Sequence, residues 1–170
     1  MEDVKKMTRA NLEILSMVTV LKFRSPVKTD HYKSESCNVF CLDCRWCNEH
    51  YEEFYRQEGY HNPDRNYFAG GAKKLASPQN EGERESTLAD ILDLLKLHDC
   101  RRVNLGVHVN CGKYGKRFET PDEEIYFFQQ ELLKARQALL DYLRGKNCEA
   151  QIHMYLLDWE GMHEVKGPAL

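Results

Sequence analysis

Short strand-like runs alternate with helical patterns along this chain, and that alternation limits the possible folds more than any other feature. Asn38-Val39-Phe40-Cys41-Leu42 has the length and apolar character of a buried strand. Asn66-Tyr67-Phe68-Ala69, closed by Gly70-Gly71, reads as a second strand. Val103, Leu105 and Val107, alternating with Asn104 and Gly106, make a third. Gln151 to Asp158 is the last, and Glu160-Gly161 starts a turn. Between them lie helical spacings. Arg45 to Gly59 places Trp46, His50, Phe54 and Tyr55 at three- and four-residue steps. Leu88, Ile91, Leu92 and Leu95 follow a cap at Ser86 or Thr87, with Ser77 to Glu85 read as loop. Residues 122–144 carry Ile125, Phe128, Leu132, Ala135, Leu139 and Leu143 on one face and are stopped by Gly145. Strand–helix alternation predicts an α/β fold with a mostly parallel central sheet flanked by helices. Ahead of it, residues 2–18 predict a helix, and Pro26 with the polar run Lys28 to Ser36 predicts an arm. The expected division is therefore residues 1–35, helix and arm, and residues 36–170, the α/β domain.

Composition sets the outer bounds. At 170 residues there is room for one domain with a tail, and 42% hydrophobic with 30% charged residues is the mix of a folded globular protein. A net charge of −3 argues against nucleic-acid binding, which needs a basic surplus to displace counterions. The longest apolar stretch, Leu12 to Phe23, is interrupted by Glu13, Ser16, Thr19 and Lys22, so no membrane partner is expected. Met-Glu-Asp-Val-Lys-Lys at the start lacks the apolar core of a signal peptide, and the expected location is the cytoplasm. The seven cysteines, an odd number, then point away from a disulfide framework and towards metal binding, catalysis or burial.

Ligands on parallel sheets sit beyond the carboxyl ends of the strands. Two chemically loaded segments fall at that location: Cys41-Leu42-Asp43-Cys44-Arg45 and His108-Val109-Asn110-Cys111-Gly112. Together they offer two thiolates and an imidazole. Zn2+ suits this donor set, because it accepts sulfur and nitrogen together and three protein ligands leave a fourth tetrahedral position. Gly112 fits a tight strand-to-helix turn after the last ligand. Asp43 beside such a metal could accept a proton from bound water, or could fill the fourth position itself. Arg45 would hold it back and keep it ionised. The plainer reading of Asp43 and Arg45 is an ion pair at a helix start.

Cys-x-Asp-x-Arg followed by His-x-x-Cys-Gly resembles the beta-class carbonic anhydrases. Ala69-Gly70-Gly71 is similar to that family's Arg-Asn-Ala-Gly-Gly segment, and the resemblance runs over roughly residues 36–165. It implies that Cys41, His108 and Cys111 bind zinc, that Asp43 and Arg45 form the catalytic pair, and that backbone groups near Gly70 and Gly112 shape the substrate pocket. The implied activity is carbonate dehydratase, a zinc lyase: reversible hydration of CO2 to bicarbonate by zinc-bound hydroxide, in a homodimer or larger homo-oligomer. The chain also departs from the pattern. Cys44 stands where Ser or Ala is usual, Tyr67-Phe68 replaces Arg-Asn, and the interval between the motifs is long. Cys44 could be an extra ligand. A CS2 or COS hydrolase on the same fold, or a non-catalytic zinc-binding assembly module, are the alternative functions.

Cys37-x3-Cys41-x2-Cys44 has the spacing of the cluster-binding loop of radical S-adenosylmethionine enzymes, which would hold a [4Fe–4S] cluster. Cys44-x2-Cys47 could be a redox pair or half of a structural zinc site, or simply two small residues on a helix. Cys100 and Cys148 have no partner at ligand spacing and read as buried thiols. Gly70-Gly71-Ala72-Lys73-Lys74 has the look of a phosphate-cradling turn without its spacing. Lys113 to Arg117 could attract an anion or be a solvated face. His50, His61, His98, His153 and His163 are each available as a proton shuttle. Trp46, Tyr51, Phe54, Tyr55 and Tyr60 could line an apolar cavity or pack the core.

Overall fold

The computed structural model describes residues 25–26 and 31–167. The helix expected over residues 2–18 lies outside them. The chain divides into two units, residues 1–30 and 31–170, and every element named here belongs to the second. β1 (Cys37–Cys41) leads into two short helices, α1 (Cys44–Cys47) and α2 (His50–Glu58). β2 (Asp64–Phe68) leads into α3 (Lys73–Ala76) and α4 (Glu81–Leu97). β3 (Arg102–His108) leads through a 3-10 turn (Gly112–Tyr114) into α5 (Pro121–Gly145). β4 (Gln151–Asp158) turns back into β5 (Gly161–Glu164). The strands form one sheet in the order β2-β1-β3-β4-β5. The first three pairings are parallel and the last is antiparallel. The α/β class with a mostly parallel, helix-flanked sheet is therefore the observed one.

β1 is buried along its whole length and β3 along all but its first residue, as expected of strands covered on both faces. Their polar residues are paired. Asn38 and Asn104 face each other in register, and Asn104 Nδ2 donates to Asn38 Oδ1 at 2.8 Å. Helices α3, α4 and α5 pack on one another and on β1, β3 and β4. The α5 stripe Phe128, Leu132, Ala135, Leu139 and Leu143 is buried, as its periodicity predicts. Each large apolar side chain in it contributes about 1.5–3 kcal/mol by leaving water. Elsewhere the Phe40 ring gathers Tyr51, Phe54, Tyr55 and Tyr155 around it. The ring needs Gly106 beneath it, because a Cβ there would lie 2.4 Å from Phe40 Cδ1. Trp46, Tyr51, Phe54 and Tyr55, the aromatic residues following β1, are thus buried in the core.

Several boundaries differ from expectation. The helix read over Arg45–Gly59 is broken at Asn48–Glu49. Trp46 and Tyr51, both buried, would sit about 140° apart on one continuous helix, and the break lets both face inward. α4 starts at Glu81, not at Ser86 or Thr87, because the Asn80 side chain accepts from Glu83 N–H at 3.0 Å and caps it earlier. At the end of α5 the left-handed residue is Asn147, φ +51°, two residues past Gly145. Where the sequence predicts only a turn from Glu160-Gly161, β5 pairs with β4 from Tyr155↔Glu164 to Asp158↔Gly161. No helix among the described residues is long and apolar enough to cross a membrane.

Candidate metal centre

The parallel register brings the two loaded segments together. Val39 pairs with Leu105, so the carboxyl end of β1 at Cys41 lies at the level of Val107, beside His108 at the end of β3. The chain then turns back, and Cys111 approaches from the following loop. The sulfurs of Cys41 and Cys111 and a ring nitrogen of His108 all lie within 4.8 Å of one another. All three residues are buried. This is the single group of three or more potential metal-ligating side chains among the described residues.

Local bonds aim these donors. His108 Nδ1 donates to the Val109 carbonyl at 2.7 Å, which leaves Nε2 buried and without a partner. An imidazole fixed through one nitrogen with the other directed at two sulfurs is the usual posture of a metal-binding histidine. Tyr51 donates its hydroxyl to the Cys41 carbonyl at 3.0 Å, and Gly70 N–H donates to Cys41 Sγ at 3.4 Å. Gly71, φ +57°, makes the turn that delivers Gly70. A Cβ on it would lie 2.2 Å from the Gly106 carbonyl oxygen. The bond from Cys111, helped by His108 and by Gly70 N–H, pulls the Cys41 thiol well below its ordinary value against the cost of burial, and Cys111 is pushed up in return. The donor set therefore fits a borderline-soft cation such as Zn2+.

Asp43 caps α1 by accepting from Arg45 N–H at 3.0 Å. Arg45 also grips the carboxylate with its side chain. Nε lies 3.1 Å from both oxygens and Nη2 lies 2.6 Å from Oδ2. This bond holds the Asp43 carboxyl down at about 2 despite some desolvation. Oδ2 stands 3.9 Å from His108 Nε2. Trp46 packs over His108 with ring centroids 5.5 Å apart and supplies an apolar wall. Trp159, 69% exposed, lies against Trp46 on the outer side.

The other sequence candidates do not join the cluster. Cys44 is exposed and outside the group. The three thiols read as an iron–sulfur loop do not converge either: Cys37 is buried at the opposite end of β1 from Cys41, about 13 Å away along a strand, with Asn66 donating to its sulfur. Gly112 has ordinary backbone and open space where a Cβ would go, so it relieves no strain. The left-handed residue of this turn is Asn110, φ +54°. Lys73 of the glycine-lysine turn is engaged with the Ser77 carbonyl at 2.5 Å. His98 pairs with Asp64, His153 with Glu164 and His163 with Asp158. His50 packs edge-on against Trp46. Sequence reasoning missed the Tyr51 bond to Cys41, the role of Asn110 and its bond to Glu124. An Asn between two ligand positions was a signal for a left-handed turn; nothing in the sequence pointed to the others.

No protein-family model and no curated protein sequence matches the chain. Among solved structures it is similar to the β-carbonic anhydrase CafA of Aspergillus fumigatus. That pair shares 14% identity over 95% of this chain and 84% of that one, with a TM-score of 0.51. A tetrameric β-carbonic anhydrase of Sordaria macrospora matches at 15% identity over 80% and 82%, TM-score 0.48. A carbonic anhydrase of Glaciozyma antarctica matches at 15% over 98% and 100%, TM-score 0.46. The likeness to the Aspergillus enzyme shows a shared fold.

Proposed function

We propose that this chain is a zinc-dependent carbonic anhydrase of the β type, catalysing the reversible hydration of CO2. The observation that carries the reading is the convergence of Cys41, His108 and Cys111 within 4.8 Å on the fold of the β-carbonic anhydrases, with the Asp43–Arg45 pair alongside. Cys41 Sγ, Cys111 Sγ and His108 Nε2 would hold the metal. Bound zinc would supply Lewis acidity, lowering the pKa of a water towards neutrality.

The side chains divide the remaining work. The Nδ1 bond to Val109 keeps His108 in the tautomer that offers Nε2. Arg45 keeps Asp43 ionised and turned towards itself, so the carboxylate is a hydrogen-bond acceptor at the rim of the site rather than a fourth ligand. Oδ2 accepts a hydrogen bond from the water that adds to CO2 and directs its lone pair at the carbon. Water and CO2 then give bicarbonate and one proton, which leaves to solvent. Trp46 keeps the inner side of the site apolar. A homo-oligomer belongs to the same proposal; the Sordaria relative is tetrameric.

The test is stopped-flow CO2 hydration by protein carrying one zinc per chain, between pH 7 and 9, with COS hydrolysis run in parallel. Acceleration of CO2 hydration that Asp43→Ala abolishes supports the reading. A zinc-loaded protein inert towards CO2 contradicts it, and turnover of COS alone would move the assignment to the sulfur analogue.

A further inference from the structure

Asn110 stands between His108 and Cys111 with a left-handed backbone, φ +54°. A residue with a Cβ keeps that conformation where surrounding bonds over-determine it. Two bonds do so here. Asn110 N–H donates to Glu124 Oε1 at 2.6 Å, and the Asn110 carbonyl accepts from Arg45 Nη2 at 3.2 Å. The same Nη2 donates to Asp43 Oδ2 at 2.6 Å. A continuous chain of hydrogen bonds thus runs from Glu124, in the first turn of α5, through Asn110 and Arg45 to the carboxylate beside the candidate metal centre.

We propose that Glu124 is a positioning residue for the Asp43–Arg45 pair. Its effect on turnover rests on the hydratase reading; the geometry does not. Arg45 is half-exposed, so water competes for its guanidinium; outside its own loop it lies over the Trp159 ring at 6.0 Å, and among the described residues the Asn110 carbonyl is its hydrogen-bonding anchor there. That carbonyl points at Arg45 only while Asn110 stays left-handed. Releasing the Asn110 N–H would let the residue relax to negative φ and swing the carbonyl away. Acidic side chains suit the N-terminus of any helix, and Asp122 and Glu123 serve α5 in that way. Glu123 accepts from Glu119 N–H in its own segment. Glu124 alone reaches back fourteen residues, and among the described residues it has no ion pair to occupy it otherwise.

The experiment compares zinc-loaded wild type with Glu124→Ala, Glu124→Gln and Arg45→Ala, alone and combined. Removing one hydrogen bond from the chain is expected to lower kcat for CO2 hydration about fivefold, with KM unchanged. Glu124→Gln, whose amide oxygen still accepts from Asn110, restores most of it. In the Arg45→Ala background, Glu124→Ala has no further effect, because it acts through Arg45. A second readout needs no turnover: the Arg45 Nε–Hε NMR signal, assigned by its loss in Arg45→Lys, moves towards the free-arginine position in Glu124→Ala and returns in Glu124→Gln. An unmoved Arg45 signal in Glu124→Ala, or kcat losses that simply add in the double variant, overturns the proposal. If the Arg45 signal responds but wild type hydrates no CO2, the hydratase reading falls and the positioning role stands.

Discussion

Oδ2 of Asp43 lies 3.9 Å from Nε2 of His108, beyond a direct hydrogen bond yet close enough to act on whatever the imidazole binds. Arg45 decides what the carboxylate does there, because it holds both oxygens from the opposite side.

Arg45→Ala is expected to release Asp43. The carboxyl, held at about 2 by the guanidinium, returns towards the ordinary aspartate value and becomes free to turn onto the metal. CO2 hydration should fall about 10–100-fold, the usual cost of losing a partner that orients a metal site, while zinc content stays at one per chain. Arg45→Lys should not restore the rate, since a lysine cannot span both oxygens. Stopped-flow assays with zinc analysis on the same samples check both points.

Zinc should stabilise the fold as well as serve it. Cys41 and His108 end the two central strands and Cys111 follows them, so a metal joining them ties β1 to β3. Free zinc at a hundredfold excess over Kd contributes about 2.7 kcal/mol, or about 5–10 °C in Tm for a chain of this size. Chelation should lower Tm by that amount in wild type and leave His108→Ala unchanged. Thermal unfolding with and without chelator is the measurement.

Two glycines near the site should differ sharply in their tolerance of Ala. Gly71 has φ +57° and its Cβ would strike the Gly106 carbonyl oxygen at 2.2 Å, so Gly71→Ala should cost more than about 2 kcal/mol. Gly112 has open space around the same position, and Gly112→Ala should stay within about 0.5 kcal/mol. Chemical denaturation of the two variants reads the difference.

Acid should loosen the β4–β5 turn. The Asp158 carboxylate accepts from Glu160 N–H, Gly161 N–H and His163 Nε2. Burial pushes its pKa up, but these bonds, with His163 foremost, bring it below the ordinary value. A depressed carboxyl stabilises the folded state fully above its unfolded pKa of about 3.9 and loses that contribution as pH falls through the folded value. The Tm difference between wild type and Asp158→Asn should therefore shrink as pH falls from 5 to below 4.

The strands and the donor set were legible because both depend on local pattern. Apolar runs end at Cys41 and at His108, and parallel pairing then forces their carboxyl ends together. The start of α4 was hidden because the capping residue, Asn80, sits in a polar stretch that looks like loop, and only the Glu83 N–H it accepts from reveals the helix. β5 was hidden because Gly161–Glu164 is four residues long and half-exposed, with no apolar alternation to mark it. The break between α1 and α2 follows from what Trp46 and Tyr51 must bury against, which is tertiary information. The bond between Asn110 and Glu124 joins residues fourteen apart across a turn, and no spacing rule encodes it.

The central claim is that Cys41, His108 and Cys111 together bind one zinc. X-ray absorption at the zinc edge, on protein loaded with one zinc per chain at neutral pH, tests it most directly. Two sulfur scatterers at about 2.3 Å and two nitrogen or oxygen scatterers at about 2.0–2.1 Å are expected, with one sulfur lost in Cys111→Ser. Three or four sulfurs, or a signal unchanged by Cys111→Ser, would contradict it.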